Sequence, residues 1–128
     1  MINLLSNNIE TIEQEYNKII KNFEGIVFKM IRKDNGYYYF KFCDGIIANH
    51  FELTTEDSFD KTINDLLREE DALNLTKLLD ESYSGKVVNA EFSMYDIIFL
   101  MRLVPDFEDG KIVGIIGSGI DITKLKLA

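Results

Sequence analysis

The feature that most constrains this chain is a long run of β-forming residues near its C-terminus. Met94-Tyr95-Asp96-Ile97-Ile98-Phe99-Leu100-Met101-Arg102-Leu103-Val104 leads into Pro105 and Asp106. After Asp109 and Gly110 comes Lys111-Ile112-Val113-Gly114-Ile115-Ile116-Gly117-Ser118-Gly119-Ile120, closing on Asp121-Ile122-Thr123. Two β-rich arms around an Asp-Gly pair read as a hairpin, because those residues reach the positive φ that a two-residue turn demands. A chain of 128 residues, 46% hydrophobic and 28% charged, can bury one core around such a hairpin. One small domain is expected.

A second hairpin is expected upstream. Gly25-Ile26-Val27-Phe28-Lys29-Met30-Ile31-Arg32 and Tyr37-Tyr38-Tyr39-Phe40-Lys41-Phe42-Cys43 are β-branched and aromatic, and Lys33-Asp34-Asn35-Gly36 between them carries the Asn-Gly turn signal. From Ile46 to Gly85 the spacing turns helical. Thr54-Thr55-Glu56-Asp57 has the hydroxyl caps and acidic first turn of a helix start. Glu69-Glu70-Asp71 opens a longer helix whose apolar face is Ala72, Leu75, Leu79 and Tyr83, ended by Ser84-Gly85. Alternation resumes in residues 86–93, with Val88, Ala90 and Phe92 inward. The order is helix, two strands, helices, three strands.

The N-terminal segment is amphipathic. Leu5, Ile9, Ile12, Tyr16, Ile19 and Phe23 are spaced 4-3-4-3-4, a stripe at the 3.5-residue period of a coiled-coil seam. Such a helix either lies back on its own sheet as a lid or pairs with a second copy. The dimer is the preferred expectation, because a short helix is marginal in water without an apolar partner.

Charge and cysteine content exclude several classes. A formal net charge of −8 disfavours nucleic acid and anionic membrane surfaces as partners. No apolar run approaches the ~20 residues that span a bilayer, and the first ten residues hold no Lys or Arg to begin a signal peptide, so a cytoplasmic location is expected. Cys43, the one cysteine, has no internal disulfide partner.

Taken together, these segments resemble a PAS domain. The resemblance rests on residues 28–45 as the first hairpin, Leu53-Thr54-Thr55-Glu56 opening a small helix, Glu69-Glu70-Asp71 before the long helix, Gly110-Lys111-Ile112-Val113-Gly114, and above all Asp121-Ile122-Thr123 at the exit of the last strand. Two departures stand out: Asp60 precedes Lys61 where many relatives have Gly, and Met94-Tyr95-Asp96 makes a shorter, less Gly-rich turn. The resemblance implies an α+β fold with a five-stranded antiparallel sheet in order 2-1-5-4-3, helices on one face and the amphipathic helix in front. It divides the chain into a dimerisation helix (1–24), a sensory domain (25–123) and the start of a linker to an output domain or a free C-terminus (124–128).

The resemblance also implies a role: a dimeric, non-enzymatic module of signal transduction, as in two-component systems. Such a module relays a ligand- or partner-induced change to a histidine kinase or diguanylate cyclase, in cis or in trans, with Asp121 and Thr123 at the signal exit. With Lys29, Lys41 and Arg102 as outward markers, alternation turns Phe28, Met30, Phe40, Phe42, Phe99, Met101 and Leu103 toward the helices. All of these but Leu103, together with His50, form a candidate pocket. The same residues fit a ligand pocket or a filled core equally well, and the filled core defines the alternative, a ligand-free interaction module. Val27, Ile31, Tyr37, Tyr39, Ile98 and Leu100 point the other way, so the outer face is apolar too and needs a cover.

Cofactor chemistry finds little support. Flavin photosensors of the family carry cysteine in an Asn-Cys-Arg-Phe motif on a middle helix, whereas Cys43 ends the second strand. Haem needs an axial ligand, and the sole histidine, His50, more often serves as a surface or hydrogen-bonded residue. One His and one Cys do not assemble a zinc ligand set. The glycines from Gly114 to Gly119 match no phosphate-loop spacing and read instead as strand glycines that allow close approach. Nothing in the sequence brings Ser82, Ser84 or Ser118 to His50, and the acidic pairs fall at caps and turns. No enzymatic activity is expected.

Overall fold

The computed structural model describes the backbone of residues 2–128 and the side chains of residues 8–128. Helix α1 (Ile2–Lys21) leads into β1 (Gly25–Arg32) and β2 (Tyr38–Asp44). Four helices follow: α2 (Ile46–His50), α3 (Thr55–Ser58), α4 (Ile63–Leu66) and α5 (Glu69–Tyr83). Then come β3 (Val88–Met94), β4 (Ile97–Glu108), β5 (Lys111–Asp121) and a last short helix, α6 (Thr123–Leu127). The strands form one antiparallel sheet in the order β2-β1-β5-β4-β3. Residues 124–128, expected as the start of a linker, thus belong mostly to a helical turn.

Each hairpin is set by its turn. Asp109 and Gly110 both have positive φ and join Glu108 to Lys111, the pair that closes β4 and β5. Asn35 and Gly36 sit in a wider turn, in which the Gly36 N–H donates to the Lys33 carbonyl and the Asn35 side-chain Oδ1 accepts from the Tyr37 N–H. The β3–β4 turn has only Tyr95 and Asp96 at its tip, at φ 50° and 64°. That is a two-residue hairpin made without glycine, at a backbone cost of about 1–3 kcal/mol per residue.

The core lies between the inner face of the sheet and the helices. Phe28 and Met30 of β1, Tyr38 and Phe40 of β2, and Phe99, Met101 and Leu103 of β4 are buried there. Facing them are Ala72, Leu75 and Leu79, three of the four residues of the expected α5 stripe; Tyr83, the fourth, is partly buried against the core. A Cβ at Gly117 would stand 2.2 Å from the Phe28 ring, so this strand glycine is the floor on which the ring lies. Tyr38 ties the sheet to α5: its hydroxyl donates to Asp80 Oδ1 at 2.6 Å, and burial, then this carboxylate, raises the phenol far above its usual range.

One inward assignment is corrected. Lys29 pairs with Phe42 and Met30 with Phe40, so Lys41 is an extra, bulged residue. The bulge shifts the alternation by one. Phe42 is only half-buried, on the outer side with Lys29, and Cys43 takes the inward place beside Phe28. Burial pushes the Cys43 thiol up to about 12, which leaves it protonated and inert.

Candidate functional site

Three places bear on function: the space inside the core, a cleft on its flank, and the junctions where the chain enters and leaves the sheet. The inner space is lined by apolar side chains, among them Phe28, Met30, Phe40, Phe99 and Met101 of the expected pocket. The room left at its centre is about 30 Å³. An apolar cavity that accepts benzene is ~150 Å³, so a ligand of even that size enters only if side chains move. Met30, Met94 and Met101 are the unbranched, adaptable ones among the lining. Phe42 is not part of this lining, for the reason given by the Lys41 bulge, and His50 is not part of it either. Sequence reasoning missed Leu53, Leu67 and Met94, which close the inner space on one side; Met94 alone had a signal, as the next even step after Val88, Ala90 and Phe92.

His50 lies on the flank. It is exposed at the end of α2 and sets its ring edge against Phe51, 5.0 Å between centroids. Phe51 stacks on Tyr95 at 5.4 Å, and the Arg68 guanidinium covers Tyr95 at 4.0 Å. Arg68 is itself held by Asp71 Oδ2 at 2.9 Å, a hydrogen bond that raises its already high pKa. Between these rings and Leu66, Leu67 and Ile97 lies a cleft of about 360 Å³. Leu53, Leu67 and Met94 form the wall shared by cleft and core. No group of three or more His, Cys, Asp or Glu among the described residues is placed to hold a metal ion.

At the exit, the three residues singled out in sequence form a capped junction. Asp121 Oδ1 accepts from the Thr123 N–H at 2.9 Å, and hydrogen bonding with Thr123 lowers the Asp121 pKa. The Thr123 hydroxyl oxygen accepts from the Ile98 N–H, while the Ile122 N–H donates to the Ile98 carbonyl. Lys126 reaches Glu91 at 2.6 Å. The start of α6 is thus fastened to β4 and β3, so a shift in those strands reaches it directly.

At the entrance, the Phe23 carbonyl accepts from the N–H groups of Gly25 and Ile46, and its ring covers Gly25. Above that junction Ile9, Ile12, Tyr16 and Ile19 are all at least half exposed, Ile19 by 66%. The helix is no lid on its own sheet. Leu5, the first residue of the expected seam, lies outside the described side chains. The outer sheet face is open as well: Leu100, Ile116 and Ile120 are exposed, and Val27, Ile31 and Ile98 half-buried. None of the described helices is long and apolar enough to cross a membrane.

The arrangement is that of PAS domains. The N-terminal domain of a diguanylate cyclase with PAS/PAC sensor from Marinobacter aquaeolei superposes with a TM-score of 0.57 at 16% identity, over 80% of this chain and 98% of that one. The PAS domain of Bordetella pertussis BvgS gives 0.57 at 17% identity, over 94% and 93%. A PAS domain from Colwellia psychrerythraea gives 0.55 at 18% identity, over 88% and 98%. No family model and no curated protein matches the sequence. The chain has the PAS fold, with the expected strand order.

Proposed function

We propose that this domain is a cytoplasmic sensory module without catalytic activity that works as a homodimer. It relays a ligand- or partner-induced change to an output domain such as a histidine kinase or a diguanylate cyclase, in cis or in trans. The observation that carries the reading is the bare stripe of α1, fixed to the sheet by Phe23 and covered by none of the described residues. Burying each such side chain is worth about 1.5–3 kcal/mol, a strong drive toward a partner. The fold shared with the sensor domain of a diguanylate cyclase supports the signalling role.

The mechanism is a population shift between packings of sheet and helices. Phe28, Met30, Phe40, Phe99 and Met101 are the inner wall that a ligand would press on. Met101 and Phe99 belong to β4, which also holds Thr123, so a change of packing there moves the exit. Native mass spectrometry tests the first half: a dimer is expected for the wild-type chain and a monomer for Ile12→Glu with Ile19→Glu. A wild-type monomer would sink the dimer reading.

A second reading has one observation in its favour. With about 30 Å³ free inside, the core resembles that of a ligand-free protein interaction module. Extra mass lost on denaturation, or a visible absorption band, would decide for a resident ligand. A bare chain at the sequence mass would decide for the interaction module.

A further inference from the structure

A space large enough for a small molecule lies outside the core, in the flanking cleft. We infer that this cleft is a binding site for a small organic cation, a primary or quaternary amine on an apolar body of about ring size.

Three segments that are remote in sequence converge there: the end of α2 with Phe51 and Glu52, the end of α4 with Leu66 and Leu67, and the β3–β4 turn with Tyr95. Its volume, about 360 Å³, falls at the small end of the ~300–1,000 Å³ typical of ligand sites. The floor is aliphatic. The wall is the stacked aromatic pair Phe51 and Tyr95, which extends the apolar surface of the cleft. The Tyr95 face that Phe51 leaves open is already covered by Arg68.

The charge at the rim selects the sign. Glu52 is the one carboxylate lining the cleft, it is exposed, and no hydrogen bond or ion pair engages it among the described residues. The nearest cation, Arg68, is committed to Asp71. Asp96, beside Tyr95 on the turn, adds a second negative charge to the surroundings, and His50 completes the polar rim. A free anion would meet the Glu52 carboxylate, whereas an ammonium group meets an unpaired partner there.

Backbone strain gives an independent reason to single out this place. Five residues other than glycine have positive φ among the described residues, and two of them, Glu52 and Tyr95, line this one cleft, with Asp96 next to Tyr95 on the turn. Glycine would hold those turns at less cost, yet side chains with a carboxylate and a ring occupy them. Strain of this kind gathers where function fixes a side chain. The wall shared with the core, Leu53, Leu67 and Met94, gives an occupant of the cleft a route to the inner packing. The site is separate from the α1 seam, so binding and dimerisation stand or fall independently.

The test is a methyl-resolved NMR titration of the whole chain with phenethylammonium, run beside phenylacetate, which has a like apolar body and the opposite charge. Saturable shifts confined to the methyl groups of Leu67, Met94 and Ile97 are expected with the amine, and weaker binding with the acid. Glu52→Gln should raise the dissociation constant about fivefold, the weight of one exposed ion pair. Leu67→Trp, which fills the cleft, should abolish the shifts. Should that variant fail to fold, Glu52→Gln still decides, since its exposed side chain supports no packing. Equal response to phenylacetate, unchanged affinity in Glu52→Gln, or first shifts at Met30 and Met101 inside the core would each overturn the proposal.

Discussion

The two faces of this sheet are almost equally apolar in sequence and opposite in fate. On β4, Leu103 is fully buried and Leu100, three residues earlier, is 44% exposed. On β5, Ile115 is sealed under the helices while Ile116 next to it stands 48% exposed. Hydrophobicity alone therefore does not say which face holds the fold together. What separates them is the cover: α5 and the short helices lie over one face, and nothing in the described residues lies over the other. The inner face carries the stability of the monomer, and the outer face, with the α1 stripe, is the apolar surface left open for the proposed association.

The sharpest way to break that comparison is to cut the same residue type on both faces. Leu103→Ala should cost about 3 kcal/mol, the usual outcome of opening a cavity in a closed core. Leu100→Ala should cost less than about 1 kcal/mol, because most of its surface never left water. Both are read from denaturant unfolding midpoints at low protein concentration, where association does not mask the monomer. Comparable losses for the two would mean that something covers the outer face even in the isolated chain.

Most of this division was legible in the residues, and the exceptions have physical causes. The buried set on β4 follows from an unbroken period of two with Arg102 marking the outside, the Asp109-Gly110 turn and the α5 stripe from turn residues and helical spacing, and the strand order is what the resemblance to PAS domains implies. On β2 the same rule misplaced Phe42, because a bulge at Lys41 adds a residue without leaving any trace in local alternation. The flanking cleft was illegible for another reason. Phe51, Leu67 and Tyr95 lie on three short segments whose convergence depends on tertiary packing; in sequence His50 reads as part of the inner pocket or a haem ligand, and Tyr95 only as part of a short turn. The free stripe of α1 was visible at once, but whether it lies on its own sheet is a matter of how Phe23 fixes the junction.

A smaller effect probes how tightly the inner face is closed. Gly117→Ala places a methyl group against the Phe28 ring, which cannot withdraw without disturbing the core. Overpacking of this kind costs about 1–3 kcal/mol. Gly85→Ala offers the contrast, since open space surrounds that position and only its φ of 107° opposes a side chain. If Gly117→Ala leaves the unfolding midpoint unchanged, the Phe28 ring has room to move, and the inner space is more adaptable than its volume implies.

The smallest expected effect concerns the rim of the sheet at Asp60, where the resemblance to PAS domains implies a glycine. Asp60 has φ 59°, a conformation that glycine adopts freely. Its carboxylate holds Lys33 at 3.0 Å and Lys41 at 3.2 Å, and those hydrogen bonds, Lys33 first, lower its pKa. The bulged Lys41 is thereby given a partner, while the Asp60 N–H donates to the Phe40 carbonyl and fastens the edge of β2. A depressed folded pKa contributes stability that is present above the unfolded value, near 3.9, and is lost as pH falls through the folded value. Because the group is about half exposed, the contribution is small and screened by salt. Asp60→Asn, which tolerates the same φ, should lower stability slightly at pH 6 and converge with the wild type as pH falls through the lowered pKa of Asp60. Asp60→Gly should lose the same charge term but relieve the backbone strain, and so come out above Asp60→Asn at every pH. Parallel curves for wild type and Asp60→Asn across that acid range would show that the lysines contribute nothing here, and that strain alone distinguishes this position from the glycine it replaces.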